Sequence, residues 1–146
     1  MARILRKLPL APARVFGDSG PWIAGQLRRD QYHTRAMAVW GKLRAEGNRL
    51  MTTTFVMDEA VTFVRYREGL AAARRLGDSI MGSALVELVE VDRPLVNRAW
   101  ELFVSSGELE LSFTDCTSFA VIEQFAISRV FGFDEDFRAT GAELLG

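Results

Sequence analysis

The 146-residue sequence predicts an α/β fold, one domain in which a mainly parallel sheet is covered by helices on both faces. Three observations carry this. Short β-rich apolar segments alternate with longer segments of 3.6-residue hydrophobic period, the pattern of parallel strands joined by crossover helices. The length suits a single buried core, and 49% hydrophobic against 25% charged residues is the balance of a globular protein. Neither an internal repeat nor a low-complexity tract breaks the pattern.

In chain order, residues 14–17 read as a short apolar strand ending at Asp18. Pro21 to Leu27 follows as a short helix, since proline is tolerated in a first turn, where its missing N–H has no helical partner to lose. Asp30 is placed as the N-cap of a helix to Glu46, with Ala36, Val39, Trp40 and Leu43 as its buried stripe and Gly47 ending it. Arg49 to Thr53 is a strand and Phe55 to Arg67 a helix stopped at Gly69. Leu70 to Ile80 is another helix, weakened by Gly77. Ala84 to Val91 alternates as a strand. Asp92 caps the next helix, with Pro94 in its first turn and Ala99, Trp100 and Phe103 on its apolar face. Leu109 to Phe113 is a short strand or an extended loop, and Thr114 or Asp115 caps a helix to about Phe125. Ile127 to Phe133 is the last strand, and Asp134 to Thr140 a closing helical turn.

Composition excludes several classes. The longest uncharged run, Ser19 to Leu27, is far short of the roughly 20 residues of a membrane span. Residues 1–13 carry Arg3, Arg6 and Lys7, but the apolar stretch after them is short and holds two prolines, unlike a signal peptide. They read as a flexible basic extension, either a functional arm or the product of a misplaced start. Residues 14–146 read as the domain proper. The lone Cys116 permits no internal disulfide and fits a reducing, cytoplasmic setting. Residues 1–85 hold 14 Lys+Arg against 7 Asp+Glu, and residues 86–146 hold 4 against 12. A basic patch beside an acidic cluster suits a polyanion bridged by cations, unless the halves interleave and the asymmetry averages out.

In open parallel sheets, ligands bind beyond the carboxyl ends of the strands, near the switch in strand order. Asp18 and Asp134 each follow a strand, Asp115 opens the helix after another candidate strand, and Glu59 lies one turn into the helix after a third. The four acids are expected as neighbours on one edge of the sheet. Crowded carboxylates repel, so they persist with a cation or with shifted pKa values. An oxygen-only donor set selects hard ions such as Mg²⁺ or Mn²⁺, which lower the pKa of a bound water and offset charge on a phosphate in transfer. That chemistry asks nothing of His33, read as structural, or of Cys116, which lacks a nearby base. Each acid also has a duller role open to it: Asp18, Asp115 and Asp134 as helix caps, Glu59 as a solvated helix acid.

Order and context distinguish them. Val15-Phe-Gly-Asp-Ser-Gly-Pro-Trp-Ile-Ala24 resembles the first motif of the PIN-domain nucleases, an apolar strand ending in Asp-Ser/Thr before a helix. Thr53-Thr-Phe-Val-Met-Asp-Glu59 is similar to the second, Leu111-Ser-Phe-Thr-Asp-Cys-Thr-Ser-Phe-Ala120 to the third, and Phe131-Gly-Phe-Asp-Glu-Asp-Phe-Arg138 to the fourth. Asp30-Gln-Tyr-His33 also sits where small members carry a similar segment. The resemblance runs from about residue 14 to the end, at a length typical of VapC-like toxins of bacterial toxin–antitoxin pairs. It implies a three-layer α/β/α sandwich. It implies that Asp18, Glu59, Asp115 and Asp134 ligate one or two Mg²⁺ or Mn²⁺ ions, with Asp136 as a further outer ligand and Ser19 and Thr114 orienting waters or phosphate oxygens. A metal-activated water would then cleave an RNA phosphodiester. The implied partners are an RNA, a cognate antitoxin and a second copy of the chain. The alternative within the family is a degenerate module that binds RNA or protein without cutting.

Two residues depart from the family pattern. Gly17 replaces a bulky apolar residue before Asp18, and Pro21 stands where a helix former is commoner. Glycine weakens a strand by about 0.5–1 kcal/mol relative to alanine, which would loosen the hold on Asp18. Trp40 and Trp100 are expected in the core or at a dimer interface. The paired arginines at 28–29, 65/67 and 74–75 read as solvated. A phospho-acceptor signalling domain would also gather acids at strand ends, but it needs a lysine after its last strand, and only Lys7 and Lys42 exist.

Overall fold

The computed structural model describes residues 13–146, so the basic extension lies outside the described residues except for Ala13. Five short strands form one sheet: β1 (Arg14–Gly17), β2 (Arg49–Thr53), β3 (Val86–Val89), β4 (Arg129–Phe131) and β5 (Glu143–Leu145). Their order is β3-β2-β1-β4-β5 and every pairing is parallel. From β1 the chain winds outward through β2 to β3, then returns to the other side of β1 for β4 and β5. The direction reverses between β1 and β4, and the crevice beyond that point is where such sheets bind ligands.

Six helices cover the sheet: α1 (Ser19–Gln26), α2 (His33–Ala45), α3 (Thr54–Glu68), α4 (Leu70–Gly82), α5 (Arg93–Val104) and α6 (Phe113–Gln124). Strand alternation splits the core in two. Val15 and Phe131 face Ala24 of α1 and Ala36 and Leu43 of α2. Phe16, Met51 and Val130 face the other way, toward Val56, Leu76, Leu95 and Val121 of α3 to α6. The sheet is thereby buried on both faces, as the apolar, weakly alternating strands imply. Ion pairs Arg14–Glu87 and Arg129–Glu46 join the basic and acidic parts of the sequence across the fold.

Most elements fall where expected, and the differences have local causes. Asp30 does not cap α2: its Oδ1 accepts the Tyr32 N–H at 2.8 Å in a turn, and the helix begins at His33. Neither Thr114 nor Asp115 is the N-cap of α6. That residue is Ser112, with Asp115, three residues on in the first turn, as the reciprocal partner of a capping box. α4 runs on through Gly77 to Gly82, and a Cβ on Gly77 would make only ordinary contacts, at 3.7 and 3.9 Å, with Met57 and Val61 of α3. Strands β3 and β4 are shorter than their apolar runs. β4 is preceded by a turn in which Ala126 adopts φ 50°. β5 escapes the sequence pattern altogether, because three residues cannot display a period and its pairing with β4 is set by the 3₁₀ turn Glu135–Thr140.

Trp100 is not core: it is 57% exposed on α5, beside the exposed Phe103 and Val104. Trp40 packs at 4.6 Å from both Trp22 and Phe131. No helix among the described residues is long and apolar enough to cross a membrane.

Candidate active site

Asp18 is the innermost of the four acids, 7% exposed at the end of β1. Gly17, expected to loosen it, instead fixes it. The Gly17 carbonyl accepts from Thr52 Oγ1 at 2.9 Å and from Trp22 Nε1 at 3.3 Å, and a Cβ on Gly17 would stand 3.1 Å from that same indole nitrogen. The Asp18 N–H donates to the Phe131 carbonyl at 3.0 Å, tying β1 to β4 beyond the last ladder pair. Pro21 sits in the first turn of α1, where its carbonyl accepts from Trp40 Nε1 at 3.2 Å. Asp18 occupies the N-cap position of α1, but its side chain makes no capping bond.

The other three acids act on it through their charges. Burial pushes the Asp18 pKa up from 3.8 to about 7, against a lowering hydrogen bond from the Ser19 backbone. The charges of Asp115, Glu59 and Asp134 raise it further. Asp115, half-buried, is likewise raised by burial, against its Ser112 hydrogen bonds, with Asp134 and Glu59 adding to the rise. The structure thus brings Asp18, Glu59, Asp115 and Asp134 to one electrostatically coupled locus at the reversal of strand order. Asp136 is not among the charges that raise either group, and its part in the site is its backbone N–H, which donates to Asp134 Oδ1 at 2.9 Å.

Each outer acid has one oxygen held by the protein. Ser19 Oγ donates to Glu59 Oε1 at 2.6 Å, linking α1 to α3. The Ser112 N–H donates to Asp115 Oδ2 at 3.0 Å, and Asp136 orients Asp134 as just described. Helix capping and orientation are the same contact here, leaving the second oxygen of each carboxylate available. Among the described residues, no three acidic, histidine or cysteine side chains stand close enough together to form a ready-made ligand cage. Glu59 and Asp134 are solvent-exposed, and crowded carboxylates repel unless a cation compensates them. An all-oxygen donor set around a buried carboxylate fits a hard divalent cation.

Thr114, half-buried, accepts from Thr117 Oγ1 through its carbonyl at 2.6 Å. Thr52, whose hydroxyl braces the Gly17 carbonyl, and Ser118, a buried hydroxyl without a partner one turn after Asp115, are not singled out by the sequence. The only available signal is a small polar residue inside an apolar run. His33 is structural, its Nδ1 2.7 Å from the Ala24 carbonyl. Burial pushes the Cys116 thiol up, with Asp115 adding to the rise, so it is no nucleophile. Two larger recesses, of about 560 and 620 Å³, lie away from the four acids, none of which lines either.

Fold and locus define a class: a parallel α/β/α domain with a carboxylate-only site at its switch point. Residues 15–143 match the PIN-domain pattern, and the chain belongs to the PIN-domain family. It is 34% identical over 127 residues, 87% of this chain and 94% of the relative, to the 23S rRNA-specific endonuclease VapC20 of Mycobacterium tuberculosis, in strains CDC 1551 and H37Rv alike. The crystal structure of VapC20, a Sarcin-Ricin loop cleaving toxin, aligns with a TM-score of 0.80 at 33% identity, covering 88% of this chain and 95% of that one. FitAcB from Neisseria gonorrhoeae aligns at 0.64 and 16% identity, over 90% of this chain and 96% of that one, a likeness of fold alone. The family and the three-layer fold implied by the four sequence motifs are those found.

Proposed function

We infer that this chain is a metal-dependent endoribonuclease, the toxin of a type II toxin–antitoxin pair. The observation that carries the reading is the coupled set of Asp18, Glu59, Asp115 and Asp134 at the switch point of a domain 34% identical to an endonuclease toxin. These four acids are the proposed ligands of Mg²⁺ or Mn²⁺, with Asp136 at most an outer contributor through its backbone. When bound, such an ion neutralises charge on the phosphate and acidifies a water. The chain's own residues do the rest. Asp18, fixed by the Gly17 and Phe131 contacts, supplies the least mobile carboxylate. Ser19 holds the Glu59 carboxylate toward it, and the Ser112 and Asp136 backbones set the planes of Asp115 and Asp134. Thr114 lies beside Asp115 as a group to orient water or a phosphate oxygen.

Residues 14–146 form the nuclease domain in this reading, with 1–13 as an appended basic segment, and the protein acts on RNA in the cytoplasm. Since VapC20 cleaves a ribosomal RNA loop, a hairpin of that kind is the first substrate to try. A cognate antitoxin holds the enzyme inactive. A second copy of the chain covers the exposed Trp100, Phe103 and Val104 of α5. The test is incubation of purified protein with ribosomal RNA in Mg²⁺, Mn²⁺ or EDTA. Cleavage that needs the ion and vanishes in the Asp18→Asn, Asp115→Asn double variant is expected. Cleavage that survives either EDTA or the double variant overturns the site.

A further inference from the structure

Beside the acids, on the β4 side, lies a recess of about 250 Å³ that the chemistry above leaves unused. Tyr32 and Arg35 from the start of α2 form one wall, Gly132 and Phe133 after β4 another, and Arg138 and Glu135 of the 3₁₀ turn border it. It adjoins the acid locus. Phe133 directly precedes Asp134, its ring would be 3.2 Å from a Cβ on Gly20, and a Cβ on Gly132 would be 3.6 Å from that of Asp18. Tyr32 stacks on Phe133 with ring centroids 4.4 Å apart and planes 17° from parallel, and the Arg35 guanidinium lies 5.7 Å from the Phe133 centroid.

The charges in the recess are unevenly matched. Arg138 is paired with Glu135. The Asp30 carboxylate is turned to the Tyr32 N–H. Arg35 has no ion-pair partner among the described residues, although it is exposed in the first turn of α2. A helix start favours anions and disfavours cations, so an arginine there lowers helix stability and raises the local pull on an anion. A guanidinium spread over an aromatic face still offers its N–H fork to a phosphate.

We propose that this recess binds the phosphate and sugar of an RNA nucleotide flanking the scissile bond, with Arg35 holding the phosphate and the Tyr32–Phe133 pair walling the nucleotide. The proposal rests on the ribonuclease reading. It explains how a polyanion is held beside four acids: a fixed cation secures one phosphate while the acids and their ion engage the next.

The test uses a fluorescent ribosomal-loop hairpin RNA with the full chain and its Arg35→Ala, Arg35→Lys and Tyr32→Ala variants. The variants should still unfold in one cooperative transition within a few degrees of the parent and bind Mn²⁺ as it does, which separates contact from folding. Arg35→Ala should raise KM on the order of tenfold with kcat nearly unchanged, the signature of a binding contact. It should also flatten the log–log salt dependence of RNA affinity by about one unit, as the loss of one phosphate contact does. Arg35→Lys should restore the salt slope, and Tyr32→Ala should weaken affinity while leaving the slope alone. If the parent cleaves the hairpin but Arg35→Ala keeps its KM and salt slope, the subsite is wrong and the nuclease reading stands. Unchanged RNA binding with an altered sedimentation coefficient assigns the recess to a protein contact and also overturns it. If the parent cleaves no RNA with any divalent ion, the nuclease reading fails and the subsite with it.

Discussion

Asp18 is a carboxylate that folding places at a cost. Burial, then the neighbouring acids, raise its pKa from 3.8 to about 7, so the native state holds its proton across a pH range in which the unfolded chain has released it. A folded-state pKa above the unfolded one means that the contribution of Asp18 to metal-free stability is most favourable below pH 4, falls as pH rises from there to 7, and levels off beyond. At about 1.4 kcal/mol per unit, the shift corresponds to roughly 4 kcal/mol above pH 7, a ceiling that local relaxation and water entry reduce to about 2–4. Asp18→Asn removes the charge, keeps the shape and still accepts the Ser19 N–H. In EDTA at pH 8 the variant should therefore melt higher than the parent, on the order of 5–10 °C for a domain of this size, with the gap closing toward pH 4. Thermal unfolding by circular dichroism between pH 4 and 8 reads it directly. Equal melting temperatures at pH 8, or a parent curve flat from pH 5 to 8, would refute the claim that this carboxylate is buried and crowded.

Other consequences can be checked with the same protein. Millimolar Mn²⁺ at pH 8 should raise the parent's melting temperature and raise that of Asp18→Asn much less, by differential scanning fluorimetry. Ser19→Ala frees the Glu59 carboxylate and should lower kcat about tenfold with the fold intact; an unchanged kcat removes Ser19 from the site. Gly17→Ala forces a Cβ to 3.1 Å from the Trp22 indole nitrogen and should cost about 1–3 kcal/mol in urea unfolding, whereas a neutral result would show that Trp22 moves aside readily. Trp100→Ser on α5 should shift a dimer toward monomer in sedimentation velocity without changing the circular dichroism spectrum; a parent that is already monomeric rejects that interface.

Much of the site was legible because its residues are punctuation marks. Asp18 and Asp134 stand where strands end and turns begin, positions fixed by local composition, and Glu59 sits six residues beyond Thr53, which caps α3 through the Val56 N–H. Asp115 was legible as an acid at a helix start, but not its partner Ser112, since either neighbour could have been the cap. Asp136 entered as an outer ligand only through the resemblance of the fourth motif. The 3₁₀ turn adds its N–H, which donates to Asp134 Oδ1 at 2.9 Å, a contact that the motif did not foretell.

By itself the sequence determined the alternation of strands and helices, the parallel sheet, and the four acids in their order, because hydrophobic period, caps and turn residues act over a few neighbours. Only the tertiary structure decided the rest. It set β4 beside β1 and β5 beyond β4, placing the switch point between Gly17 and Phe131. It turned Gly17 from an apparent weakness into the close seat of Trp22, left Trp100 in solvent, and closed the recess around Arg35. Those outcomes depend on contacts between residues far apart in the chain, where packing and shared charge, not local preference, set the energy.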